Sequence, residues 1–467
     1  MHLFLLGAGH VGLVTAVGFA RLGHRVTVAD LDAARIAAAN EGRAPIFEPG
    51  LTESIAQGLA DGSLAFTTEL DPPADAAFTF VCVNTPTGPD GPLSTAHVEA
   101  AIERLLTRVG PEHTIVVRST LPLDGPARLT ALASGFPDRA SIVTNPEFMR
   151  EGQALEDFDR PNRVVTGWLE PQDTSAAQAV LELYAPLGAP SLVADARSVA
   201  LIKLGSNVYL GMKISFANEL ARVADATGAD IGEVIAGIGL DGRIGTAFLQ
   251  PGPGIGGSCL PEQAVAIALE TVSLDVEAPL LSAVHRSNAV HQRQIVNRLE
   301  RLLGGTGSLA GRRIALLGLA FKANTDDVRE SPALALAANL RASGAEVLAH
   351  DPKAEARARL ADPLLDVAAT PHDAARDADA VVVATEWVEY AQLDWEKVAA
   401  AMRGTLVYDT RGVVDVAAAR AAGLWVVRLG RPAAGPDGAA RAAYRAPADA
   451  AAGVPVAEPA ASNASES

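Results

Sequence analysis

Three groups of residues in this chain could do chemistry. Cys259 closes a Gly/Pro-rich stretch, 241–259, where backbone amides can approach a ligand and little side-chain bulk blocks the sulfur. A cysteine in that setting suits covalent catalysis, which divides one difficult step into easier ones. Lys203 and Asn207 stand four residues apart in a helical pattern, so both project from one face toward one point. An ammonium and an amide N–H are suitable donors to an alkoxide-like oxygen. The third group is Gly7-Ala8-Gly9-His10-Val11-Gly12, directly after an apolar run. Gly7 permits a tight turn, Gly9 lets a pyrophosphate approach the backbone, and Gly12 allows close helix packing. The pyrophosphate would rest on the free amides of the helix that follows. Asp30, at the end of the next strand pattern, would accept hydrogen bonds from ribose hydroxyls and repel a ribose phosphate, which favours NAD over NADP. Cys82, inside the apolar run 78–83, reads as core packing.

The elements that must carry these groups follow from the periodicity. Apolar or β-branched runs at 3–6, Arg25–Ala29, 78–83, Thr114–Val117 and Ser141–Thr144 alternate with alanine-rich helical segments. Such alternation implies a parallel sheet covered on both faces. From 198 to about 227 there is no proline, and Ile202, Ser206, Tyr209, Phe216, Leu220 and Val223 recur at helical spacing. One long helix is expected, joining two domains and contributing to a subunit interface. Strand patterns resume at 314–317, 347–350, 380–384, Leu406–Asp409 and 425–427. The expected fold class is α/β, with two Rossmann-like parallel-sheet domains joined by a long central helix. The domains are read as 1–195 for NAD, 196–305 helical with the cysteine loop, and 306–431 as a second α/β unit. An Ala/Pro/Gly/Ser tail, 432–467, is expected to be disordered because its composition cannot repay the entropy of ordering.

Composition narrows the classes. The 467 residues carry 38 basic against 55 acidic side chains, a net −17, which argues against a nucleic-acid partner. Two cysteines exclude a disulfide framework and fit a reducing cytoplasm. The opening MHLFLLGAGH reads as a first strand rather than a leader, and no apolar run is long enough to span a bilayer, so no membrane partner is expected.

Several blocks now occur in order. GAGHVGLVTAVGFARLGH is followed by PIFEPGL at 45–51, VNTPT at 83–87, RSTLP at 118–122 and NPEFMREG at 145–152. KLGSN (203–207), KISFANELA (213–221), DGRIG (241–245) and PGPGIGGSCLP (251–261) come next. LGLAFKANTDDVRESP occupies 317–332, with TEW at 385–387 and DTR at 409–411. Together they resemble the UDP-glucose/GDP-mannose dehydrogenase family from residue 1 to about 431.

The resemblance implies oxidation of a nucleotide-sugar primary alcohol to a carboxylate, using two NAD and a cysteine thioester, with UDP-glucose the expected substrate. Oxidation of GDP-mannose or a UDP-N-acetylhexosamine stays open at this point. It implies catalytic roles for Cys259, Lys203, Asn207, Glu147 and Thr120. Around the cofactor it implies Gly7, Gly9, Val11, Gly12, Asp30, Arg35, Thr85, Pro86, Thr120, Glu151 and Arg329. For the UDP-sugar it implies Glu147, Phe148, Met149, Lys203, Asn207, Phe248, Leu249, Gly256, Phe321, Lys322 and Arg411. Arg243 would enter the neighbouring subunit's site, so at least a homodimer is expected. No metal is implied. One position departs: the family aspartate four residues after the cysteine is Gln263 here, and the lysine before it is Glu262. Gln263 cannot act as a base, so the expectation is a slow enzyme with no carboxylate beside Lys203, or a binding protein that has lost turnover. Gln263 can still orient a water by hydrogen bonding.

Overall fold

The computed structural model describes residues 1–86 and 93–435. Thr87 of the VNTPT block and the tail from 436 onward lie outside the described residues.

The first sheet has eight strands: β1 (His2–Leu6), β2 (Arg25–Ala29), β3 (Leu64–Thr67), β4 (Ala76–Val81), β5 (Thr114–Val117), β6 (Ser141–Thr144), β7 (Val164–Trp168) and β8 (Ser191–Asp195). Their order is β3-β2-β1-β4-β5-β6-β7-β8. Leu3, Phe4 and Leu5 of β1 are wholly buried, as a central strand covered on both faces requires. The expectation of a purely parallel sheet is corrected at one point: β7 runs antiparallel to β6, and β8 then runs parallel to β7. Strands β3, β7 and β8 were not anticipated. The run 78–83 also ends earlier than expected, at Val81, which leaves Cys82 just beyond the strand, buried as predicted.

The second sheet comprises β9 (Arg313–Leu317), β10 (Glu346–His350), β11 (Asp366–Val367), β12 (Ala380–Val383), β13 (Leu406–Asp409) and β14 (Trp425–Arg428), in the order β11-β10-β9-β12-β13-β14. All its pairings are parallel. In both sheets the first strand is central and the order reverses beside it, which opens a crevice at the strands' carboxyl ends.

Four helices set the site. Helix α1 (His10–Arg21) follows β1. Helix α2 (Ala196–Thr227) is the long connector, with Asp195 capping its first amides and Gly228 in the left-handed conformation ending it. Helices α3 (Cys259–Ser273) and α4 (Pro279–Leu303) pack on it. At the end of the described chain, Ala434 bridges Val426 of β14 and the Gly435 carbonyl accepts from Arg420. Residues 432–435 therefore belong to the folded unit, not to a disordered tail. No helix among the described residues is long and apolar enough to cross a membrane.

Candidate active site

The glycine turn fits a dinucleotide. Gly7 has φ +109°, and a Cβ there would lie 2.5 Å from the Cys82 carbonyl oxygen. At Gly12 a Cβ would lie 1.9 Å from the Gly7 carbonyl oxygen, whereas at Gly9 it would meet nothing within 4 Å. Gly7 and Gly12 therefore serve the fold, and Gly9 faces open space. Gly9 caps α1 without a side chain, so the first amides, including that of the half-buried Val11, are free for an anion. Asp30 accepts from the Ala8 amide at 2.6 Å and the Asp32 amide at 2.9 Å, with Arg35 Nη1 3.8 Å away. Thr85 and Thr120 are half-buried and Pro86 is exposed, just past β4 and β5 on the same rim of the sheet.

The catalytic candidates converge from three elements. Helix α2 buries Lys203 and Asn207 on one face. Lys203 Nζ donates to Glu147 Oε1 at 2.7 Å and to the Glu147 carbonyl at 2.6 Å. The other Glu147 oxygen accepts from the Met149 amide at 2.6 Å. Burial opposes the Glu147 charge, but Lys203, the Met149 amide and the nearby Arg118 together hold its pKa below the ordinary value. A carboxylate does sit beside Lys203, and the expectation that none would is corrected: it comes from the segment after β6 rather than from the cysteine helix. Gln263 is buried, and its Oε1 accepts from Asn207 Nδ2 at 2.8 Å. Phe148 lies under the Arg163 guanidinium at 3.8 Å, with Lys203 Nζ 5.3 Å from the same ring.

Cys259 is the first residue of α3 rather than part of a loop, a second correction. Pro261 stands in the first helical turn, where its missing N–H costs nothing. The residue keeps a face open to solvent, with Ser258 Oγ 3.8 Å from the sulfur. Protein atoms still crowd the sulfur from the sides. That crowding, with the Glu147 and Glu151 charges and against the pull of Lys203, pushes the thiol up to about 11. At neutral pH Cys259 therefore rests as a thiol rather than a thiolate.

The second sheet closes the crevice. A Cβ at Gly257 would lie 2.9 Å from the Phe321 ring, and one at Gly256 would lie 2.5 Å from Pro332 and 2.9 Å from Phe321. The Gly257 amide donates to the Arg329 carbonyl. Arg329 chelates Asp327 and reaches Glu151 at 3.3 Å, a contact between the two sheets' loops. Burial and the Asp327 carboxylate raise the Glu151 pKa. Lys322 is pulled down by burial against the attraction of Glu151, Glu386 and Glu48. Arg411 spans the Phe321 and Ala384 carbonyls at 2.6 and 3.0 Å. Burial raises the Glu262 pKa, with the Glu330 and Asp327 charges adding to it and Arg329 opposing.

Two expected residues stand apart. Arg243 is exposed and pairs with Asp241, and no contact links it to the Cys259 group among the described residues. The Leu249 side chain is 2% exposed in a core formed with Ala217, Ala221 and Ile235, so only its backbone is left for a ligand. Its neighbour Phe248 is half-buried and holds φ +62°, a costly conformation for a bulky residue. Several positioning residues had no sequence signal, because their partners are remote in the chain. Asn218 Oδ1 holds the Gly252 amide, Asn288 holds Ile255, and His291 Nε2 bonds the Gly252 carbonyl at 2.7 Å. Among the described residues no cluster of His, Cys, Asp and Glu is arranged to hold a metal ion.

Comparison with known proteins agrees with this geometry. The UDP-glucose/GDP-mannose dehydrogenase family matches in three parts: its NAD binding domain at residues 1–188, its central domain at 197–290 and its UDP binding domain at 315–416. A curated UDP-glucose 6-dehydrogenase from Rhizobium meliloti (strain 1021) is 38% identical over 440 residues, which cover 92% of this chain and 100% of the relative. The solved UDP-glucose dehydrogenase of the hyperthermophilic archaeon Pyrobaculum islandicum is 40% identical, with a TM-score of 0.79 over 88% of this chain and 94% of that one. A UDP-N-acetyl-mannosamine dehydrogenase, Cap5O from Staphylococcus aureus, is more distant at 26% identity and a TM-score of 0.75, covering 92% and 98%.

Proposed function

The chain belongs to the UDP-glucose/GDP-mannose dehydrogenase family, and on that premise we propose that the Cys259 crevice carries the two-step, NAD-dependent oxidation of UDP-glucose to UDP-glucuronate. The observation that carries this reading is the meeting of a thiol, a buried Lys203–Glu147 pair and a buried Asn207–Gln263 pair at one crevice. A dinucleotide turn borders it on one side and Phe321, Lys322 and Arg411 on the other.

NAD, when bound, takes up a hydride from the sugar carbon in each of the two oxidations. Gly9, the free amides of α1, Asp30 and Arg35 would hold it, with Thr85, Pro86, Thr120, Glu151 and Arg329 toward its reactive end. The chain's own groups do the rest. An ammonium has three donors, and Lys203 spends two on Glu147, which leaves one for an oxygen bearing developing charge. Asn207 spends one amide hydrogen on Gln263 and keeps the other. Cys259 adds to the intermediate aldehyde as its thiol proton passes to the carbonyl oxygen, so the addition is balanced without an external base. After the second oxidation, water attacks the thioester and frees the acid and the thiol. Each hydride loss also frees the proton of the oxidised hydroxyl, and Glu147, held as a carboxylate, takes it through a water. In the hydrolysis one water proton goes to the sulfur and the other leaves with the acid. Phe148, Met149, Phe248, the Leu249 backbone, Gly256, Phe321, Lys322 and Arg411 line the UDP-sugar side, and Arg243 serves the partner of a homodimer. The two free thiols suit a reducing cytoplasm.

The full chain given NAD and UDP-glucose should form two NADH per acid produced. Cys259→Ser should end acid formation while NAD and UDP-glucose still bind. Unchanged NADH production by that variant would show that the thioester route is wrong. Binding without oxidation by the wild type would favour a nucleotide-sugar sensor.

A further inference from the structure

His10 lies inside the dinucleotide turn, and nothing in the reaction above uses its side chain. It is the first residue of α1, so its ring starts beside the amides that would receive the pyrophosphate. The ring Nε2 is 2.7 Å from Glu48 Oε2, whose side chain is buried. That carboxylate is already an acceptor at both oxygens: Oε2 takes the Gly152 amide at 2.6 Å and Oε1 the Ala154 amide at 2.8 Å. Glu48 therefore has no hydrogen to offer, and Nε2 must be the donor. The tautomer is fixed, and any added proton goes to Nδ1, which has no partner among the described residues.

Resting on the NAD-dependent reading above, we propose that His10 is a proton-dependent cofactor-binding residue, whose imidazolium, braced by Glu48, holds the pyrophosphate of NAD. The charged groups around it come from every neighbouring element. Glu48 lies just before the helix Leu51–Asp61, Glu147 and Glu151 lie after β6, and Lys322, in the loop after β9, interacts with Glu48 and Glu151. Burial works against the imidazolium, but the Glu48 hydrogen bond and the carboxylates of Glu151, Glu48 and Glu147 prevail and raise its pKa above 6.5. An added pyrophosphate anion stabilises the same charge further. The bound-state pKa then exceeds the free-state pKa, so NAD binding takes up a proton in the window between them. Affinity is full below the free value and falls as pH rises through the bound value.

The test is calorimetric titration of the full chain with NAD from pH 6 to pH 9, in buffers of different ionisation enthalpy. If NAD shifts His10 by one pH unit, Kd should weaken about tenfold across the range, with net proton uptake over the pH interval in which the slope appears. His10→Gln keeps a side-chain N–H for Glu48 but cannot be charged. It should bind with the wild type's alkaline affinity and show no slope. Ring NMR of the wild type makes the same test without a variant: one of the nine histidines should raise its pKa when NAD is added. A flat wild-type profile, no shifted histidine, or an undiminished slope in His10→Gln would each overturn the inference. Absence of NAD binding at every pH would overturn the proposed function, and this inference with it.

Discussion

Glu147 answers to Lys203 on one oxygen and to the Met149 amide on the other, and that double engagement decides what its loss would do. In Glu147→Gln the shape and an acceptor survive, but the negative charge and the proton-accepting capacity do not. Turnover should fall by a factor of about a hundred to ten thousand with little change in KM, because general acid–base groups contribute on that scale. Breaking a buried ion pair from one side costs about 3–5 kcal/mol, so the variant should also melt earlier at neutral pH. Because the folded chain depresses the Glu147 pKa, its stabilisation is full above the ordinary value of 4.5 and disappears as pH falls through the folded value. Acidifying through that window should therefore narrow the gap in Tm between wild type and variant. An equal gap at every pH would refute the charged pair. The pair also marks a limit of sequence reading at this scale. Lys203 and Asn207 were legible as one helix face, but which carboxylate would meet them was not, since Glu147 lies 56 residues away in sequence.

Elements were read best where they were long or central. The connector α2, the central strands β1, β4 and β9, and the glycine turn follow from periodicity and punctuation. The edge strands β3 (LAFT) and β11 (two residues) are too short for any pattern to stand out. The start of α3 was obscured by the glycines before it, although Pro261 in a first turn was an available signal. What fixes the loop ahead of α3 is a set of side chains on other helices, and His291 of α4 is the one that pH can probe. Burial and the adjacent Arg222 lower its pKa to about 4, against the pull of the Gly252 carbonyl. In the unfolded chain it titrates near 6.5, so between pH 6.5 and 4 the unfolded state binds more protons and stability falls as pH drops. That gap corresponds to about 3 kcal/mol. Wild-type Tm should fall more between pH 7 and pH 4.5 than that of His291→Asn. Parallel curves would show that His291 is not held neutral.

For the whole molecule, the outer face of α2 leaves Tyr209, Phe216 and Val223 exposed at intervals of seven residues, an apolar stripe on one side of the helix. Such a stripe fits the homodimer proposed above, in which Arg243 would serve the partner's site. The sharpest check is complementation. Cys259→Ser and Arg243→Ala should each be nearly inactive alone. Unfolded together and refolded, they should regain activity, since a mixed dimer holds one intact cysteine served by one intact arginine. No recovery in verified mixed dimers would remove Arg243 from the partner's site. The anchoring of 252–257 also has a side in time. Its anchors are Asn218, Asn288, His291 and the Arg329 carbonyl, and the last lies in the loop that follows β9 of the second sheet. Domains generally form as units, N-terminal first during synthesis. A half-made chain can thus shape its dinucleotide turn long before its thiol is aligned. Until the segments after β9 are made, the crevice also lacks Phe321, Lys322 and Arg411, so the turn proposed to take the cofactor exists before there is a seat for the substrate.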